Sequence, residues 1–85
     1  MRSKKAVIEV LKKEFPGIEG IRVSDDGEGI LLGNAAEGGQ VDGDYAAVYG
    51  YDGPPYVNQK LKDEIDKLGY WTEWRDAGSL MAYPK

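Results

Sequence analysis

The residues best equipped for chemistry in this chain are carboxylates set beside aromatic rings. In YWTEWRD, residues 70 to 76, Glu73 and Asp76 stand close to Trp71 and Trp74. Burial against an aromatic ring raises a carboxyl pKa, and that is how one acid of a catalytic pair is kept protonated. A strand-end acid paired with Arg75 or a lysine uses the same residues with no chemistry at all. The chain has no histidine and no cysteine. It therefore lacks the side chain best suited to proton transfer near neutral pH, and it has no thiolate for attack or for binding zinc. The expectation is a protein that is not an enzyme.

Two other acidic groups, Asp25-Asp26-Gly27-Glu28 and Asp42-Gly43-Asp44, offer the hard oxygen ligands that calcium takes. Neither has the alternating ligands, central glycine and distal glutamate of a full calcium loop. Asp and Gly are also the usual turn formers, which accounts for both stretches without a metal. The glycines of GNAAEGGQVDGD, residues 33 to 44, form neither GxxxxGK[ST] nor GxGxxG, and the acids nearby would repel phosphate. No metal and no cofactor are expected.

The remaining unusual feature is aromatic. Four of the six tyrosines lie in YAAVYGYDGPPY, residues 45 to 56. Read as a strand with period two, Tyr45, Ala47, Tyr49 and Tyr51 point one way, and Ala46, Val48 and Gly50 the other. The small set suits packing under helices, so the tyrosines would occupy an open sheet face. Such rings stabilise a small sheet through cross-strand pairs, and they also make the rigid anchors used at protein interfaces.

The elements that must carry these residues follow from periodicity. Ser3 caps a helix from about Lys4 to Phe15, with Val7, Ile8, Val10, Leu11 and Phe15 on one broad stripe. GIRVS and ILLG are two strands joined across the turn-forming pair Asp26-Gly27. Residues 33 to 44 read as a flexible acidic connection, and Tyr45 to Tyr51 as a third strand. A second helix carries Val57, Leu61, Ile65 and Leu68 on one face, with proline in its first turn and Gly69 at its end. YWTEWR and SLMAY close as a final hairpin. At a constant offset of fifty, Leu11 matches Leu61, Glu14 matches Glu64 and Asp26 matches Asp76, while Ile30 and Leu31 meet Leu80 and Met81. This suggests a duplicated helix–hairpin unit. The expected architecture is one α+β domain over residues 1 to 85, of order α-β-β-β-α-β-β. Two helices would pack on one face of an antiparallel sheet of about five strands.

Charge bears on partners. The net charge is −4, but residues 19 to 52 hold eight acids against Arg22 alone, whereas residues 1 to 18 hold five basic and two acidic side chains. Phosphate backbones are repelled by such a middle, so direct nucleic-acid binding is not expected. No stretch has the length or apolar run of a membrane span, and lysines interrupt the N-terminal apolar stretch, so a cytoplasmic protein is expected. The functional expectation is a small acidic protein-binding module, an inhibitor or regulator that engages a basic protein, such as one that binds nucleic acid. Its contact residues would be Tyr45, Tyr49 and Tyr51 with Asp25, Asp26, Glu28, Asp42 and Asp44. The profile is similar to that of inhibitors carried by phages or mobile elements. The alternative is a homo-oligomer, such as a homodimer, that buries the tyrosine-rich face against its own copy.

Overall fold

A computed structural model describes residues 3–50 and 53–85. Helix α1 spans Lys4–Glu14, with the Ser3 hydroxyl accepting from the Ala6 N–H at 3.2 Å and the Phe15 N–H closing the last turn on the Leu11 carbonyl. Strands β1 (Ile21–Val23) and β2 (Ile30–Leu32) form the first hairpin. Three short segments, β3 (Gln40–Val41), β4 (Asp44–Tyr45) and β5 (Ala47–Val48), precede β6 (Tyr56–Val57). Helix α2 (Gln59–Lys67), β7 (Tyr70–Asp76) and β8 (Ser79–Pro84) complete the chain.

The main sheet is antiparallel and has four strands in the order β1-β2-β8-β7. Cross-strand partners fix its two faces, because directly opposite side chains point the same way. Ile21 opposes Leu32, Ile30 and Thr72 both oppose Ala82, and Trp74 opposes Leu80. Ile21, Ile30, Leu32, Leu80 and Ala82 share one buried cluster with Val7 and Leu11 of α1 and Leu61 and Ile65 of α2. Both helices therefore cover this face. The other face carries Arg22, Leu31, Met81, Glu73, Trp71 and Tyr83. Met81 is only 1% exposed, yet it stands outside the helix-side cluster. Trp71 and Tyr83, directly opposite one another, bring their rings to 5.7 Å.

The two helix–hairpin halves meet at β2 and β8, where Leu31 lies directly opposite Met81. These are partners at the offset of fifty. Asp26 and Asp76, also fifty apart, make the same local bond, each accepting at 3.0 Å from the N–H two residues on. Leu11 and Leu61 are both fully buried. Val7 and Val57, likewise fifty apart, do not correspond, since Val7 sits in α1 whereas Val57 belongs to β6.

The expected third sheet strand is the main departure. Residues 45 to 48 do not join the sheet. They contribute to two separate two-stranded ladders, β3 with β4 and β5 with β6. The chain changes partner at Ala46, whose N–H donates to Gly39 at 2.9 Å and whose carbonyl accepts from the Asn58 N–H at 2.8 Å. That kink turns both Ala46 and Ala47 inward, so period-two alternation breaks between them. Residues 33 to 44 are likewise built rather than slack. The Asn34 carbonyl accepts from both Glu37 and Gly39 N–H groups, and the Asn34 side chain accepts from the Glu19 N–H at 2.9 Å. Asp42 and Gly43 both take positive φ and make the two-residue turn between β3 and β4.

Helix α2 begins two residues later than Val57. Val57 pairs with Ala47 in the β5–β6 ladder, and Asn58 is the cap. Pro54 and Pro55 precede β6 and take no part in the helix. The buried Asn58 side chain accepts from the Lys60 N–H at 3.0 Å and donates to the Tyr45 carbonyl at 3.3 Å. Replacing it with alanine removes the cap and strands that carbonyl. Asn58→Ala is expected to cost about 2 kcal/mol in urea unfolding. A loss confined to a few tenths would show that this residue does not tie the 36–57 segment to α2.

Candidate functional site

The structure separates the residues expected to form one surface. Asp25, Asp26 and Glu28 lie at the tip of the β1–β2 hairpin, beyond the Val23–Ile30 pair. Asp42 lies in the β3–β4 turn and Asp44 directly follows it, and this turn is held near the other end of the sheet by the Gln40 N–H donating to the Gly17 carbonyl at 3.1 Å, ahead of β1. The two acidic groups thus sit at opposite ends of the strands. The expectation of a single acidic and aromatic surface is corrected on this point.

Asp26 is also committed to its own turn. Its Oδ1 accepts from the Ser24 hydroxyl at 2.5 Å and from the Glu28 N–H at 3.0 Å. The Ser24 hydroxyl, followed by the Glu28 N–H, holds its carboxyl below the usual aspartate range. Asp42 forms an ion pair with Lys60, and that bond raises the lysine's pKa. Both partners are well exposed, so the pair contributes little to stability. Asp44 is exposed beside Tyr45 in β4.

Tyr45 is 64% exposed, while the same residue's carbonyl is held by Asn58. Tyr49 is 40% exposed, and its ring meets Trp74 edge to face, with centroids 5.2 Å apart at 74°. Trp74 in turn packs against the helix-side core. Tyr49 therefore belongs to the helix side of the molecule and is not on the open sheet face. Tyr51 lies outside the described residues.

A shallow hollow of about 480 Å³ gathers Tyr45, Val48 and Tyr49 over Ala36, Gly38 and Ala77. Val48 lies opposite Tyr56 in the β5–β6 ladder, and both are exposed. Of the six large hydrophobic residues exposed among the described residues, Tyr45, Val48, Tyr49 and Tyr56 come from this one stretch. Two of them, Val48 and Tyr56, escaped the sequence reading. Period-two alternation puts Val48 on the buried side, and Tyr56 is not among the expected contact residues. The hairpin signal Asp42-Gly43, flanked by Val41 and Tyr45, was present in the sequence and would have shifted the register.

The carboxylates beside the tryptophans do not form a cleft. Glu73 is exposed on the sheet face away from the helices, whereas Asp76 accepts from the Gly78 N–H and shapes the β7–β8 turn. Among the described residues no three carboxylates converge as a metal site would require, and no helix is long and apolar enough to cross a membrane. No protein-family model, no curated protein and no solved structure matches this chain, so the geometry of the surface alone speaks to function.

Proposed function

We propose that this is a non-catalytic protein-binding module of the cytoplasm, an inhibitor or regulator whose contact surface is Tyr45, Val48, Tyr49 and Tyr56, rimmed by Asp42 and Asp44. One observation carries the reading: most of the exposed large apolar side chains fall within a single short stretch held in place by two small ladders and by Asn58. Scattered apolar residues on a surface need no explanation, but a cluster with a polar rim is the composition of a contact site. Tyrosine supplies large contact area at small entropic cost, and the acids favour encounter with a basic partner. A nucleic-acid-binding protein presents such a surface, and this module would compete there with DNA or RNA. The scaffold beneath is read as a repeated helix–hairpin unit, with the 33–57 segment inserted between the repeats.

The test compares the wild type with a Tyr45→Ser/Tyr56→Ser double variant. Both rings are exposed, so folding should be preserved, as circular dichroism would verify. A basic protein retained from lysate by the wild type would then be purified and titrated. Its affinity is expected to fall by about a hundredfold in the variant, as truncating anchor residues does. Its association rate with the wild type should drop as salt is raised. Equal retention by the two forms, or salt-independent association, would remove this surface from the function.

A further inference from the structure

We propose that two copies of the chain associate through the free edge of β7, forming one continuous sheet with their α2 helices side by side. Strand β7 ends the sheet and, among the described residues, has only β8 as a strand neighbour. The Lys85 N–H donates to the Gly69 carbonyl at 3.0 Å, which fixes the phase of the ladder. Residues 71 and 73 then bond toward β8, and the N–H and C=O groups of Thr72 and Trp74 point away from it, along the free edge. At seven residues β7 is the longest strand among the described residues; a bulge shifts its register between Trp74 and Asp76, and before it neither proline nor lysine interrupts the edge. Such an edge is a template for another strand.

The choice of a second copy rests on charge. Beside the edge runs a groove of about 310 Å³, lined by Gln59, Lys62, Asp63 and Asp66 of α2 and by residues 70 to 72. Along this exposed stripe the donors come first and the acceptors last. An interface with two-fold symmetry requires that whatever residue i meets in j, j meets in i. A two-fold axis through Thr72 places the Thr72 backbone groups of both copies in reciprocal hydrogen bonds and sets the α2 helices antiparallel. Lys62 then faces the second copy's Asp63, and Asp63 the second copy's Lys62. Lys62 has no ion-pair partner of its own among the described residues, and Asp63 accepts one bond, from Gln59 at 2.7 Å, which leaves its other oxygen open. The surface is distinct from the one at residues 45 to 56, so this inference does not depend on the proposed function.

Sedimentation equilibrium over a range of concentrations at low salt tests it. The wild type is expected to move from the mass of one chain to that of two. Thr72→Pro removes an outward N–H that the β7–β8 ladder does not use, and should weaken association by about tenfold or more, because symmetry repeats the lost contact. Lys62→Asp places like charges across the axis and should weaken it similarly, and it keeps the test open if the proline variant misfolds. Adding Asp63→Lys to Lys62→Asp reverses the order of the pair and should restore the dimer. A single-chain mass at every concentration overturns the proposal. So does a swap variant that stays monomeric, or a dimer indifferent to these changes but lost in Tyr45→Ser/Tyr56→Ser.

Discussion

Gly33→Ala is expected to lose about 3 to 5 kcal/mol of stability, a large part of the roughly 5 to 10 kcal/mol that holds a domain of this size. Gly33 follows β2 with φ of +55°, a region that disfavours side chains. The steric problem is greater than the conformational one. A Cβ at this position would lie 1.8 Å from the Glu19 carbonyl oxygen and 2.7 Å from its carbon. Both are backbone atoms, and they are anchored, because the same carbonyl accepts from the Asn34 N–H while the Asn34 side chain accepts from the Glu19 N–H. No rotamer change relieves such a contact. The approach must open, separating the loop before β1 from the segment that leaves β2. Gly27→Ala supplies the comparison. Its φ of +75° is equally unfavourable, but nothing lies within 4 Å of the added carbon. That variant should lose only about 1 kcal/mol. Urea unfolding of the pair checks the argument, and equal losses would mean that the close approach at Gly33 does not constrain the fold.

The second large effect concerns the two halves. Leu11→Ala and Leu61→Ala are each expected to cost about 3 to 5 kcal/mol, the range for a leucine emptied from a tight core. Both side chains are fully buried in the same cluster, one from each helix, over the two hairpins that meet at Leu31 and Met81. If the halves are mechanically equivalent, the losses should agree within about 1 kcal/mol and unfolding should remain one transition in each variant. A large disparity, or a separate early transition in either, would show that one half folds around the other and that the equivalence is superficial. The double variant should leave no folded population at room temperature, since the combined loss reaches the whole stability of the domain.

Much of the scaffold was legible in the chain because short-range physics decides it. The spacing of Val7, Leu11 and Phe15 gives α1 its buried stripe, and Ser3 caps it as expected. Leu61, Ile65 and Leu68 do the same for α2. Both hairpins form at the turn residues Asp26-Gly27 and Asp76-Ala77-Gly78, where side-chain carboxylates accept from nearby N–H groups.

Residues 33 to 50 depart from the expected loop and strand for a reason of the same kind. Their local pattern supports a strand at Tyr45 to Tyr51 about as well as the two ladders the structure forms. Local alternation cannot say when a chain exchanges one partner for another, and Ala46 makes that exchange by bonding Gly39 on one side and Asn58 on the other. Once both alanines turn inward, the side chains of Val48 and Tyr49 shift relative to a regular strand. Val48 becomes exposed, and Tyr49 reaches Trp74 on the helix side.

The sequence by itself determined the two helices, the two hairpins, their turns and the acidic charge of the middle segment, because each depends on contacts within a few residues. The tertiary structure decided which residues share a surface. It set Asp25, Asp26 and Glu28 apart from Asp42 and Asp44 at opposite ends of the strands, gathered Tyr45, Val48 and Tyr49 around one hollow with Tyr56 opposite Val48, and left the β7 edge open beside α2. Those arrangements come from pairings between segments distant in the chain, and no period within a segment encodes them.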